Sequence, residues 1–299
     1  MRSASARAAW VLVVKLNNMI KRARRAIKQL ANETVIIVGK TAPGRRLYGL
    51  VIDNERSRTH QVTHHGLSLV FSTPNALSQF RADTFSTKEP ETLDWIDGMP
   101  DGSIVWDIGA NVGLYSCYAA KARRCRVFAF EPSVFNLELL ARNIFLNQLT
   151  EQVTIVPLPL SGQLSMSTLN MTSTDWGGAL STFGERFGHD GETMRKVFEF
   201  PTIGLSMVDA FSLLKIPQPD YIKMDVDGIE HLILKGGMPI LRAIKGALIE
   251  INDRFTTQAD GASEYLRGAG LTLQQKKHAD YFNFKDGPEK YTFNQIWVK

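Results

Sequence analysis

Apolar residues recur along this chain in three rhythms, and each marks off a different stretch. Near the start, Val13, Leu16, Ile20, Ala23, Ile27 and Leu30 fall at alternating spacings of three and four, which gathers them on one helical stripe. Lys21, Arg22, Arg25 and Lys28 lie largely opposite, so residues 1 to 30 predict a basic amphipathic helix. After Asn32 the runs become short and β-prone: Thr34 to Val38, Leu47 to Ile52, Gln61 to His64 and Leu67 to Phe71, punctuated by Gly39, Pro43 with Gly44, and Gly66. They predict a small antiparallel sheet. Short helices over Asn75 to Phe85 and Glu89 to Ile96 complete an N-terminal β/α subdomain of residues 31 to 98.

From Ser103 onward apolar strands alternate with helical patterns, the rhythm of a parallel sheet covered on both faces. Strands are expected at Ile104 to Ile108, Arg126 to Phe130, Val153 to Leu158, Tyr221 to Met224 and Ala247 to Ile251. Helices are expected at Val112 to Ala122, Ser133 to Asn147 and Gly228 to Leu234, and Leu271 to Gln274 with Asn294 to Val298 form an antiparallel closing pair. The glycine-rich stretch Ser161 to Phe200 predicts a hairpin and a mobile loop. The fold class is α/β, a doubly wound sheet over residues 99 to 299.

Charge changes the picture at the N-terminus. Of 35 lysines and arginines, eight lie in residues 1 to 30, where there is no acid, which leaves 27 basic against 30 acidic residues elsewhere. The globular part is therefore slightly acidic, and the basic balance does not point to a nucleic-acid partner. Residues 1 to 30 either adsorb to anionic lipid, giving peripheral membrane contact, or pack on their own domain with a solvated basic face. The apolar run Ala8 to Val14 is too short to span a bilayer, which takes about 20 residues. With two cysteines, Cys117 and Cys125, there is no disulfide framework, and a cytoplasmic location is expected.

The strongest local signal is Val105-Trp-Asp-Ile-Gly-Ala-Asn-Val-Gly113, an apolar strand entering a tight turn and then a helix. Gly109 and Gly113 allow close approach to the main chain. Glu131 follows the second strand 22 residues beyond Gly109, where a carboxylate accepts hydrogen bonds from ribose hydroxyls. A dinucleotide motif starting at Gly109 would need glycines where Asn111 and Leu114 stand, and there is no GxxxxGK[ST] phosphate loop. The pattern suits a ligand with an amino acid and a ribose but no phosphate. S-adenosylmethionine fits, its ammonium accepted by Asp107 and its carboxylate bound by backbone donors.

The strings WDIGANVGLYSCYAAKA, FAFEPSVFNLELLARNIFLN and YIKMDVDGIEHLILKGG together resemble the FkbM family of S-adenosylmethionine-dependent methyltransferases, across about residues 88 to 250. The resemblance implies a class I methyltransferase fold and, most commonly, methyl transfer to a hydroxyl oxygen of a carbohydrate, glycolipid or small metabolite. Asp107, Gly109, Asn111, Gly113 and Glu131 match the family's cofactor motifs. Where relatives carry an acid after the third strand, this chain reads Leu160-Ser-Gly-Gln163, so adenine contact falls to Ser161 or to backbone groups.

A second constellation, Lys223-Met-Asp-Val-Asp-Gly-Ile-Glu-His231, stands where the fourth strand meets a helix. A hydroxyl acceptor needs a group that takes its proton, and Asp225, Asp227 and His231 are the candidates, His231 having the best intrinsic pKa. The same edge offers hard oxygen ligands for a divalent metal in Asp225, Glu250, Asn252 and Asp253. His64 and His65 lack a nearby third ligand in sequence and read as a turn. Trp176 either stacks on a sugar or anchors its loop. Rival readings are a methyltransferase acting on protein or nucleic acid, and a non-catalytic membrane-associated scaffold. Asp225-Val-Asp-Gly228 stands in place of the Asn-Pro-Pro-Tyr-like turn of base methylases.

Overall fold

The computed structural model describes residues 4–278 and 288–299, and side chains from residue 19 onward except Pro288 and Glu289. The chain divides into two compact units, Met1–Ser57 and Arg58–Lys299, rather than at residues 30 and 98.

The first unit is a helical hairpin of α1 (Ala4–Gly39) and α2 (Ala42–Arg56). The strands expected at Thr34 to Val38 and Leu47 to Ile52 are therefore helical. Pro43 and Gly44, which read as a turn, are the first turn of α2, whose N-cap Thr41 accepts a hydrogen bond from the Gly44 backbone at 3.0 Å. The missing Cβ of Gly44 matters here, because it would lie 1.9 Å from the Val38 carbonyl oxygen. Tyr48 reaches back to donate to the Val35 carbonyl at 2.6 Å. Val13 and Leu16 of the predicted stripe lie outside the described side chains, whereas Ile20, Ile27 and Leu30 are exposed.

The second unit opens with a hairpin, β1 (Thr59–His64) and β2 (Leu67–Ser72), turned through left-handed His65 and Gly66. Helices α3 (Ala76–Asp83) and α4 (Pro90–Asp97) follow. The hairpin is stitched to the helices behind it: Asn143 accepts from the Ser72 backbone at 2.7 Å, and Asn147 bridges the Val70 N–H and carbonyl. Then come β3 (Ile104–Ile108), α5 (Leu114–Arg123), β4 (Arg126–Phe130), α6 (Val134–Leu146) and β5 (Val153–Val156). The segment expected to be a hairpin and mobile loop is a three-stranded antiparallel sheet of β6 (Ser165–Met171), β7 (Ser181–Phe183) and β8 (Phe198–Gly204) with β6 central. The chain ends with α7 (Met207–Ser212), β9 (Tyr221–Met224), α8 (Glu230–Lys235), α9 (Met238–Leu241), β10 (Gly246–Asn252), α10 (Thr256–Gly268), β11 (Thr272–Lys277) and β12 (Thr292–Val298).

The main sheet has seven strands in the order β11-β12-β10-β9-β3-β4-β5. Its five central and flanking strands β10, β9, β3, β4 and β5 run parallel, and β12 pairs antiparallel with both β10 and β11. The chain winds outward from β3 in one direction through β4 and β5, then returns to β3's other side through β9 and β10. That reversal opens a crevice at the carboxyl ends of β3 and β9. Strand alternation sends Trp106 and Ile108 into one core layer and Val105 into the other. Asp107 shares the face of Val105, which directs it beneath α5.

Candidate active site

Everything at this crevice is organised by Gly109, which follows β3 at φ 83°. A Cβ there would fall 1.8 Å from the Asp225 carbonyl oxygen, so glycine lets the ends of β3 and β9 approach. Gly113, the left-handed N-cap of α5, answers a different need: its Cβ would meet Leu140 of α6 at 2.3 Å. Between them Asn111 adopts φ 51°, its backbone N–H donating to Glu131 at 2.8 Å and its side-chain amide to the Gly178 carbonyl at 2.8 Å.

Asp107 does not face the cleft. It is buried, accepts from Ser116 Oγ at 2.5 Å and lies 3.7 Å from Lys223 Nζ. The acids that do line the cleft are Glu89, Glu91, Asp225, Asp227 and Glu250, facing Arg81, Lys88 and Lys277. Lys223, buried from β9, stands 3.6 Å from Asp225 and beneath the Tyr115 ring, 5.4 Å from its centroid. Burial disfavours its charge, but Asp225, Asp107, Glu89 and Glu250 outweigh burial and hold it above the ordinary lysine range.

Glu89 escaped the sequence reading because an acid ahead of Pro90 reads as a helix start. It occupies the N-cap of α4 but makes no capping bond. Its carboxylate instead pairs with Lys88 at 2.7 Å and receives Tyr115. Burial would raise its pKa, yet Lys88 and Lys223 keep it below the usual carboxylate value. Glu89 and Asp225, unlike Asp107, line the cleft.

Beyond β9 the turn is shaped by Glu230. Its carboxylate receives the Val226 and Gly228 backbone N–H groups, each at 3.1 Å, and the Gln258 amide. This clamp presents Asp227 to the cleft in a left-handed conformation, φ 62°, where its Oδ2 accepts from the Ser181 backbone at 3.1 Å. Burial and then neighbouring Asp225 push Asp227 up to about 7. Glu250 is raised too, by burial and by repulsion from Asp225 and Glu89. His231 points elsewhere: it is buried from α8 against α10, its ring edge-on to Phe255 at 5.9 Å and its Cβ toward Gly261. Two histidines that the sequence did not reveal line the cleft, His189, whose Nε2 is buried without a hydrogen-bond partner, and His278, whose Nδ1 lies 2.7 Å from the Thr292 carbonyl.

Glu131 sits at the end of β4, as the strand spacing requires. Its oxygens accept from the Asn111 and Ser133 backbones, both at 2.8 Å, and burial pushes it up to about 7 against those bonds. Gly178 bridges Asn111 and Asn136, and Arg81 and Asn75 hold the carbonyls of Gly177 and Trp176. The loop expected to be mobile is therefore tied down, and Trp176 belongs to its anchorage and not to the cleft lining. Ser161 is not at the crevice either. It bonds to Gln163 in a separate surface depression, whereas an apolar slot lined by Phe130, Pro132, Leu158, Phe183 and Ile229 opens beside Gly109.

Of the four residues weighed as metal ligands, Asp225 and Glu250 line the cleft together. Among the described residues, Asp225, Glu250 and Asp253 do not form a group with ligand atoms within 4.8 Å of one another. Asp253 pairs with Lys276, and Asn252 accepts from Arg254 in its own turn.

A doubly wound seven-stranded sheet with one reversed strand, and a glycine turn and acid-lined cleft at its switch point, define a Rossmann-like methyltransferase fold. Comparison with known proteins agrees: residues 107–297 match the Methyltransferase FkbM domain, and the chain belongs to the FkbM methyltransferase family. It is similar to the hexuronic acid methyltransferase AglP of Haloferax volcanii, 26% identical over 155 residues, or 51% of this chain and 57% of AglP. The chain thus spans little more than half the length of that relative. A putative SAM-dependent methyltransferase from Streptococcus mutans superposes with TM-score 0.48 at 12% identity, covering 81% of this chain and 55% of that one. Aeropyrum pernix fibrillarin, solved with bound S-adenosyl-L-methionine, gives TM-score 0.43 at 9% identity, covering 82% and 84%.

Proposed function

We propose that this protein transfers a methyl group from S-adenosylmethionine to a hydroxyl of a carbohydrate or glycolipid. The observation that carries the reading is the meeting of three compartments at Gly109. The apolar slot at Phe130 and Leu158 suits an adenine ring. The pocket of Glu89, Tyr115 and Asp225 suits an ammonium and a sulfonium, and the larger cleft toward Asp227, His189 and Glu250 leaves room for an acceptor. Glu89 and Asp225 offer carboxylates to a cationic donor, and AglP, by its name, acts on a sugar acid.

When bound, the donor supplies the electrophilic methyl carbon. The protein's part is alignment and proton removal. Glu89 and Asp225 hold the donor's positive end, Glu131 faces its ribose once the Gly178 bridge is exchanged for the ligand, and Asp227 takes the hydroxyl proton as the oxygen attacks. Calorimetry with S-adenosylmethionine tests the reading and separates it from a non-catalytic scaffold. Glu89→Gln is expected to weaken donor binding by about 10- to 100-fold, the worth of a hydrogen bond to a charged group. Absence of binding by the native protein overturns the assignment. Methyl-label transfer into a fractionated lysate then identifies the acceptor, and label entering protein or nucleic acid would move the substrate class.

The helical hairpin supports peripheral attachment to anionic lipid. Ile27, Leu30, Ile37, Leu50 and Ile52 are all exposed, beside Lys21, Arg22, Arg25 and Lys28, and no described helix is long and apolar enough to cross a membrane. Apolar burial and charge attraction act together at such a surface. Vesicles containing phosphatidylserine are expected to co-sediment the native chain, and the Ile27→Glu/Leu30→Glu variant to remain in the supernatant. Equal partitioning of the two proteins sinks the idea.

A further inference from the structure

The turn of the β1–β2 hairpin brings two neighbouring histidines together with an acid distant in sequence. Successive residues of a strand project to opposite faces, so His64 and His65 would ordinarily diverge. Left-handed backbone at His65, φ 47°, followed by Gly66, φ 80°, bends the chain instead, and the two imidazoles lie with ring centroids 4.0 Å apart and planes tilted by 34°. Asp97, at the C-terminal end of α4, completes the group: its Oδ2 lies 2.9 Å from His65 Nδ1. One ligand atom from each of the three residues falls within 4.8 Å of the others.

We propose that His64, His65 and Asp97 form a binding site for a divalent transition metal ion such as Zn²⁺, remote from the methyl-transfer crevice. Two imidazole nitrogens and one carboxylate oxygen are a donor set that such an ion accepts, with water filling the remaining position. Two further observations point to a ligand. His64 Nε2 is buried without a hydrogen-bond partner, while its Nδ1 is engaged by Ser86 Oγ at 3.1 Å. A ring nitrogen fixed by an outer partner leaves the other directed at a metal. Tyr118 plays the same part for the carboxylate, its hydroxyl donating to Asp97 Oδ1 at 2.7 Å. The ion would join the hairpin to the end of α4, the helix that carries Glu89 at its other end.

The test uses the untagged full-length chain, with Zn²⁺ followed by titration calorimetry and Co²⁺ by its visible ligand-field absorption. One ion per chain is expected, with a rise in unfolding temperature on adding Zn²⁺ and none on adding Mg²⁺. His65→Ala and Asp97→Ala are each expected to lower affinity by at least about tenfold, and Tyr118→Phe by about tenfold, as outer partners of a metal ligand do. His65 is exposed, its side chain 65% accessible, so its variant is expected to melt like the native protein without metal. Absence of binding, or Zn²⁺ affinity unchanged in His65→Ala, overturns the site.

Discussion

Asp227→Asn is expected to lower turnover by about 10²- to 10⁴-fold, the range that a positioned general base contributes, with donor affinity nearly unchanged. The geometry isolates the charge. Asparagine keeps an oxygen to accept from the Ser181 backbone, and the Glu230 clamp that sets the turn is untouched. What disappears is a carboxylate pushed up to about 7 by burial and Asp225. A base acts when ionised, so native kcat/KM should rise with pH and level off above about 7, because that ratio reports the free enzyme. The Asn variant should lose this rise. If His189→Gln abolishes turnover while Asp227→Asn leaves it intact, the base is the histidine.

Lys223→Met is expected to cost about 3–5 kcal/mol of stability, the usual penalty for removing one member of a buried charge cluster. The ammonium lies among Asp107, Asp225, Glu89 and Glu250, and Asp107 Oδ1 has no hydrogen bond of its own. Methionine fills similar volume but leaves these acids without their common cation. Without that cation the buried acids take up protons more readily in the folded state than in the unfolded one, and the deficit should shrink as pH falls from 8 to 5. Urea unfolding across that range measures it. A deficit that is small at pH 8, or that does not shrink on acidification, contradicts the role given to Lys223.

The parallel strands β3, β4, β5, β9 and β10 were legible because each is a compact, largely apolar run between turns, and local pattern and tertiary burial agree there. The N-terminal hairpin was not legible. Thr34 to Val38 is a β-branched run whose propensity favours strand, but it continues the preceding helix to Gly39. Context overrode propensity, and the Pro43-Gly44 pair disguised a helix start as a turn. At the site, the positions of Gly109, Asn111, Gly113, Asp225 and Asp227 followed from strand ends. Side-chain direction did not follow. Asp107 belongs to β3, and its place in the strand's alternation turns it under α5. His231 lies one residue into α8, on the side that packs against α10. Glu89, His189 and Asp97 became visible only through folding, since they come from segments that carry no motif.

The placing of Glu89 and Asp225 bears on how the catalyst empties. Both line the pocket beside Gly109, where a carboxylate favours a positively charged occupant at short range. Methyl transfer converts the donor's sulfonium into a neutral thioether, so the spent nucleoside loses the attraction that drew its precursor in. The same carboxylates that load the enzyme thereby ease product dissociation, and the native protein should bind S-adenosylhomocysteine less tightly than S-adenosylmethionine, by a margin that narrows as salt is added.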